Sequence, residues 1–135
     1  MIYSPPLYNP EQIVANKIRT PDGTILQSFH RHDYKTYIDK NGLEYMVDGG
    51  NDYIRRIVSI EPYQELSVTL SHPYEEIREA FHWGTRGRDG KEPLTWKALK
   101  DLSTDHIEAI LDTQTHIAEW TKDLFNRELK FREGK

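Results

Sequence analysis

The residues best suited to chemistry lie between Phe81 and Trp96, in the stretch FHWGTRGRDGKEPLTW. Its three glycines, spaced three residues apart, favour tight bends that expose backbone N–H groups. Arg86, Arg88 and Lys91 stand between or beside them, and such side chains pair with phosphate. Aromatic rings at both ends can stack on a nucleobase. These residue types predict a loop that holds a small nucleotide-like anion.

The candidate ligand-binding residues share ring faces, polar groups or positive charge. They are Phe81, Trp83, Thr85, Arg86, Gly87, Arg88, Asp89, Lys91 and Trp96, with Arg55 and Arg56 on an earlier strand. Neighbouring strand residues point to opposite faces, so only one of the two arginines would face a ligand. The alternatives are a solvated loop anchored by its tryptophans, and strand arginines paired with Asp48 or Asp52.

Known catalytic and metal-binding patterns are missing from the sequence. The glycine stretch has neither the Gly-Lys-Ser/Thr of a P-loop nor the spacing of a dinucleotide fingerprint. His30 and His32 would share one strand face, but a metal site needs further ligands and the chain has no cysteine. We therefore expect no catalytic residue, no metal and no cofactor, and a binding protein rather than an enzyme.

Composition limits the partners further. The chain has 135 residues, a formal net charge of −4 and 30% charged residues, which disfavours non-specific binding of long nucleic acid. Residues 78–100 nevertheless carry six Lys/Arg against three Asp/Glu, a local excess that suits a small anion. No apolar run is long enough to cross a bilayer, and no secretory signal or cysteine is present. We expect a single cytosolic domain without membrane partners.

The first half of the chain predicts antiparallel strands. The sequence predicts an irregular arm over residues 1–16. It predicts an antiparallel sheet of about five or six strands over residues 17–70. Pro21-Asp22-Gly23 and Asn41-Gly42 are turn sequences between apolar, β-branched segments. Further strands are expected near Tyr53–Ile60 and Leu66–Leu70.

The second half predicts helices. Residues 71–100 should contain a short helix and then the basic glycine-rich loop, and residues 101–135 the C-terminal helices. Ser103 is a good N-cap. The apolar spacing that follows fits one helix of about 25 residues, about 40 Å long, or two helices in series across Thr113–Thr115. A helix of the longer kind would favour pairing between two subunits, which gives an α+β fold with a helical dimer interface.

Three segments resemble a family of small bacteriophage proteins, the Thoeris anti-defence sponges. They are Val47–Arg56, Phe81–Gly90, and Pro93–Trp96 continuing through Leu102–Ile107. The resemblance covers about residues 18 to 131. It implies a viral protein, acting in the cytoplasm of the infected bacterium, that sequesters cyclic ADP-ribose isomers made by TIR-domain enzymes. Such a protein binds the signal without cleaving it.

The resemblance also implies an architecture and a set of contacts. It implies an N-terminal antiparallel sheet, C-terminal helices that form a dimer, and in some members a hexamer or separate pockets for cyclic oligonucleotides. Phe81, the loop from Arg86 to Lys91, and Arg55 or Arg56 would contact the ligand. The other functions left open are a protein-binding phage inhibitor and, third, a small nucleotide-processing enzyme.

Overall fold

Antiparallel strands dominate the first half of the chain and helices the second, which confirms the α+β class predicted from the sequence. The computed structural model describes residues 9–58, 62–87 and 89–134. Within them the chain forms two units, a sheet unit of Pro10–Ala80 and a hairpin–helix unit of residues 81–134. The expectation of one domain came from the chain length of 135 residues, which gives no information on how the chain divides internally.

The sheet unit contains seven of the strands and the first helix. They are β1 (Ile13–Arg19), β2 (Ile25–Ser28), β3 (Lys35–Ile38), β4 (Glu44–Asp48), β5 (Arg55–Ile57), β6 (Gln64–Glu65), β7 (Val68–Thr69) and α1 (Tyr74–Ala80). One sheet has the order β2-β1-β6, with β7 also paired to β1, and the other has the order β3-β4-β5. β1 begins at Ile13, inside the segment that was expected to be irregular.

Both predicted hairpin turns form between β1 and β2 and between β3 and β4. In the second turn Gly42 has a φ of 80°, a left-handed conformation that favours glycine. The Asp39 carboxylate accepts from the backbone N–H groups of Asn41 and Leu43, each at 2.9 Å. An aspartate that bonds its own turn in this way fixes the register of the strands on either side.

A small apolar cluster joins the two sheets. Ile18 and Leu26 come from β1 and β2, and Tyr45 and Val47 come from β4. All four side chains are buried, and β4 is covered on both faces, since Met46 between Tyr45 and Val47 is buried as well. Apolar burial of this kind is the main force that holds the sheets together.

The hairpin–helix unit contains the remaining elements. They are β8 (His82–Thr85), β9 (Thr95–Ala98), a 3₁₀ turn (Leu99–Asp101), α2 (Thr104–Thr113) and α3 (Glu119–Glu133). Ser103 caps α2, since its side chain accepts from the His106 backbone N–H at 3.1 Å, as predicted. The C-terminal segment is therefore two helices, and α3 with 15 residues is only about 22 Å long. Helix length thus gives no support to pairing between subunits, and the dimer interface stays a prediction.

Aromatic rings form much of the interior of this unit. Phe81 meets Trp120 and Phe125 edge to face, with ring centroids 5.9 Å apart in both pairs. Ile110 and Leu124 are also buried, at 4% and 3% exposure. Replacing either of these two with a charged residue is therefore expected to unfold the unit rather than to separate two subunits.

Candidate functional site

The first half of the glycine-rich stretch is strand rather than loop. In the β8–β9 hairpin Trp83 lies opposite Lys97, and Gly84 lies opposite Trp96. A Cβ atom on Gly84 would stand 3.0 Å from the nearest atom of the Trp96 ring, so the indole lies directly over this glycine. A ring over a cross-strand glycine compensates for its missing side chain. Trp96 therefore helps to hold the hairpin.

Hydrogen bonds close the neck of the loop that joins β8 to β9. The Glu92 N–H donates to the Arg86 carbonyl at 2.8 Å, and the Gly90 N–H donates to the Gly87 carbonyl at 3.2 Å. Both glycines have positive φ angles, 83° at Gly87 and 75° at Gly90. Glycine reaches such angles without steric cost, which explains its recurrence here.

Two further backbone N–H groups are used inside the same loop. Gly87 donates to Thr85 Oγ1 at 3.1 Å, and Lys91 donates to Asp89 Oδ1 at 3.0 Å. The expectation that the loop's N–H groups would point at a phosphate is thus wrong for these four, because each already has an acceptor. These four N–H groups are therefore not available to an anion.

A broad groove of about 1160 Å³ runs along this hairpin. It is lined by β8, β9, one face of α2 and the loop residues 86, 87, 89, 90, 92 and 93. Trp83 and Ile110 supply apolar surface, while Thr85 and Thr95 supply hydroxyl groups. A groove of this size and mixed polarity is large enough for a nucleotide-sized ligand.

Two cations in the groove have no acidic partner among the residues that the structure describes. Arg86 and Lys97 both line it and are exposed. Among residues 9–58, 62–87 and 89–134, neither side chain has an ion pair or hydrogen bond. An unpaired cation keeps its full charge for a ligand, and charge-assisted bonds to phosphate are the strongest that such a groove can offer.

Carboxylates also line the groove. Asp89, Glu92 and Asp105 all contribute to it, and Asp105 lies in the first turn of α2, where negative charge is favourable. Since a carboxylate repels phosphate, the groove is not a uniformly positive anion site. Its chemistry suits a ligand that has both anionic oxygens and hydrogen-bond donors.

The aromatic candidates have different positions. Phe81 is 2% exposed in the interior, so its ring has no free face for a ligand, and the expectation that it stacks on one is wrong. Trp83 is half-buried, contacts Phe125 edge to face at 5.3 Å and lines the groove. Trp96 lies on the opposite face of the hairpin, because it alternates with Thr95 and Lys97 along β9.

Of the remaining candidates in and beside the loop, some line the groove and others do not. Thr85, Arg86, Gly87 and Asp89 line the groove together, as the sequence predicted for a common site. Lys91 is exposed and is not part of the lining. The candidate residue 88 lies outside the described residues.

Arg56 belongs to a polar network inside the sheet unit. Its guanidinium donates to Asn16 Oδ1, to Glu65 Oε1 at 2.7 Å and to Ser67 Oγ at 3.0 Å, which links β5 to β1 and to the β6–β7 segment. Burial raises the pKa of Glu65, but the hydrogen bond from Ser67 and the charge of Arg56 outweigh it and leave that pKa below its usual value. Arg56 therefore has a structural role.

Arg55 faces the other way and is mostly exposed. Its guanidinium lies 3.8 Å from Asp48 Oδ2, the acidic partner that was the alternative to ligand binding. Asp48 also accepts from the Tyr53 hydroxyl at 3.4 Å, and that hydroxyl is 3.3 Å from His32 Nδ1. This polar cluster lies in the sheet unit, and the groove lining includes none of it.

The structure does not place the histidines near residue 30 on one strand face, as their spacing had predicted. No group of three or more His, Asp or Glu side chains with metal-binding geometry occurs among the described residues. His30 and His32 lie in a turn after β2 rather than on one strand face, and His32 has a left-handed φ of 67°. The strand spacing on which the chelate depended is therefore absent.

Sequence reasoning missed Lys97, Glu92 and the groove-facing side of α2. Strand alternation could have indicated Lys97. If residues 95–97 form a strand, Lys97 lies on the same face as Thr95, and Trp96 lies on the other face. Asp105, His106 and Ala109 line the groove because the helix repeat places them on one face. No local pattern indicates which face of α2 meets the hairpin.

No known family model, curated protein or solved structure matches this chain. None of the described helices has the length and apolar character required to span a membrane.

Proposed function

We propose that this protein captures a small nucleotide-type ligand in the hairpin groove and releases it unchanged. The observation that carries this function is the pair of cations Arg86 and Lys97, which have no partner in the described part of the chain and line the same groove as the ring of Trp83. Cations bind the phosphates of a nucleotide, and an indole stacks on its base. The hydroxyl groups of Thr85 and Thr95 add donors along the same face.

The resemblance to Thoeris anti-defence sponges suggests which ligand this is. We propose a cyclic ADP-ribose isomer, an immune signal that a phage-encoded protein would sequester in the cytoplasm of the infected cell. Binding without cleavage is what such a role requires, because one protein then removes one signal molecule from the downstream effector. Long nucleic acid is an unsuitable partner for a chain of net charge −4.

The contacts within one chain set the expected affinity. One stack at about 2 kcal/mol and two phosphate contacts at about 2 kcal/mol each give a Kd of some tens of micromolar. Efficient capture of a signal needs nanomolar affinity, so further contacts are required. We propose that a second copy of the chain supplies them, in a dimer or a larger ring such as a hexamer.

Isothermal titration calorimetry with cyclic ADP-ribose isomers tests this function. We expect saturable binding to the wild type, and heat denaturation should release a ligand of unchanged mass. Native mass spectrometry of the same sample gives the number of subunits and of bound ligands. No heat of binding with any isomer would reject the proposed ligand, and a cleaved product would move the protein to the enzyme class.

A second candidate function is a protein-binding inhibitor. It is favoured by large apolar side chains that the sheet unit leaves exposed, among them Ile38 at 65%, Tyr34 at 51% and Ile54 at 46%. This function requires that these side chains form one contiguous patch, as apolar residues do in protein–protein contacts. Co-purification of a host enzyme in equal amount, lost on changing Ile38 to Lys, would support this function over ligand capture.

A further inference from the structure

Two residues of opposite charge, Arg86 and Glu92, lie across from one another at the loop neck. The Glu92 N–H and the Arg86 carbonyl are hydrogen-bonded at 2.8 Å, so the two residues are direct neighbours across the neck. Their side chains nevertheless form no ion pair. Both line the groove. A cation and a carboxylate on neighbouring residues that do not neutralise one another can bind a ligand that offers an acceptor to one and a donor to the other.

The position of the Glu92 carboxylate is defined by a glycine. A Cβ atom on Gly87 would stand 1.6 Å from Glu92 Oε2, so the carboxylate lies in the space that a side chain would fill. Any other residue at this position would displace it. Gly87 thus has two roles, its left-handed φ of 83° and the room that it leaves for Glu92.

Glu92 is the loop carboxylate that remains available. Asp89 already accepts the Lys91 N–H through Oδ1 at 3.0 Å, which holds it in a local turn. In the part of the chain that the structure describes, no group donates a hydrogen bond to the Glu92 carboxylate. A carboxylate of this kind can only accept hydrogen bonds, so its ligand partner must carry donors.

We infer that Glu92 selects a ligand with a vicinal pair of hydroxyl groups, the arrangement found on ribose and absent from deoxyribose. The two oxygens of one carboxylate can accept from two adjacent hydroxyls, while Arg86 binds a phosphate of the same molecule. This inference rests on the proposed function, since it assumes that the groove binds a nucleotide. It adds the residue and the chemical group that decide between ribose and deoxyribose ligands.

The experiment compares cyclic ADP-ribose with analogues that lack one ribose hydroxyl, each titrated into the wild type and into Glu92→Gln. The wild type should bind one deoxy analogue about 10- to 100-fold more weakly than the parent, because a hydrogen bond to a charged group is lost. Glu92→Gln should bind the parent more weakly and lose most of this discrimination. Glu108→Gln removes an acid from the exposed side of α2, outside the groove lining, and should behave as the wild type.

The outcomes distinguish ribose selection by Glu92 from nucleotide capture by the groove. Parent and deoxy analogues of equal affinity in the wild type would overturn the role of Glu92 and leave nucleotide capture intact. Discrimination that persists undiminished in Glu92→Gln would also overturn it. No binding of the parent to the wild type would overturn the proposed function, and the ribose selection with it.

Discussion

At the scale of single residues, Gly50 and Gly23 show two different reasons for glycine. Both have positive φ angles, 53° and 92°. A Cβ on Gly23 would meet nothing within 4 Å, whereas one on Gly50 would stand 2.4 Å from the backbone of His30. The turn after β4 therefore packs its main chain directly on the turn after β2, and the Gly50 N–H also donates to Ser28 Oγ at 2.9 Å.

Alanine substitution should separate the two reasons. Gly23→Ala should lower the free energy of unfolding by about 1–2 kcal/mol, the cost of a left-handed non-glycine residue. Gly50→Ala should lower it by about 3 kcal/mol or more, because backbone atoms of His30 must also move. Urea denaturation followed by circular dichroism measures both values. Equal losses in the two variants would show that the close contact at Gly50 has no energetic weight.

Asp22 should make stability depend on pH in the acid range. Its pKa lies well below the usual value because its carboxylate accepts hydrogen bonds from the Thr20 and Tyr37 hydroxyls. A group with a lowered folded pKa stabilises the fold above its unfolded pKa of about 3.9, and this contribution is lost as the pH falls further. The wild type should therefore exceed Asp22→Asn in stability at pH 6, and the difference should shrink below about pH 4.

Urea denaturation at pH 6, 4 and 3 measures that difference, with Asp112→Asn as the control for loss of an exposed acid. A difference that stays constant across these pH values would contradict the assignment.

The hydrogen bond between the Tyr37 hydroxyl and the Asp22 carboxylate raises the pKa of Tyr37. The contribution of Tyr37 to the stability of the fold should be complete below about pH 10, its unfolded pKa. It should fall as the pH rises through the higher pKa of the folded state. Difference absorbance between wild type and Tyr37→Phe follows that ionisation.

At the scale of elements, the sequence predicted those with strong local signals. Asn41-Gly42 gave the turn between β3 and β4, and Ser103 gave the start of α2, because turn and cap chemistry is contained within a few residues. The β8–β9 hairpin was missed. β8 contains Gly84, which weakens a strand on its own and is compensated only by the ring of Trp96 across the pair.

Arg132 joins α3 to the segment before α2. Its guanidinium pairs with Glu128 at 2.7 Å and donates to the carbonyl groups of Leu99 at 3.2 Å and Leu102 at 2.6 Å. Glu128 is fully buried. Removing Arg132 takes this ion pair away from a buried carboxylate, and loss of one member of a buried pair costs about 3–5 kcal/mol.

Arg132→Met should therefore lower the free energy of unfolding by about 3 kcal/mol or more. Lys130→Met, on the exposed side of the same helix, should change it by less than about 0.5 kcal/mol. The double variant Arg132→Met/Glu128→Leu should recover part of the loss, because no buried charge remains. Chemical denaturation of the three variants measures these values, and an unchanged stability in Arg132→Met would show that the pair and its carbonyl contacts are dispensable.

At the scale of the whole molecule, the candidate site was only half predictable. Thr85, Arg86, Gly87 and Asp89 are close in sequence, so their types alone indicated a common site. Lys97 and the groove-facing side of α2 join them only through tertiary packing, which the sequence does not encode locally. The same limit applies to Phe81, because the residues that bury its ring, Trp120 and Phe125, are distant in the sequence.

The groove cations should dominate ligand affinity although the molecule as a whole is acidic, with a net charge of −4. Arg86→Gln and Lys97→Gln should each weaken binding of cyclic ADP-ribose about 10- to 100-fold, the effect of losing one charge-assisted bond. Lys130→Gln removes an equal charge outside the groove and should have little effect, since screening weakens interactions beyond about 8–10 Å. Calorimetric titrations at low and high salt should show affinity that falls with ionic strength in the wild type and much less in the double variant Arg86→Gln/Lys97→Gln. Equal losses in all three single variants would mean that overall charge, rather than these two side chains, attracts the ligand.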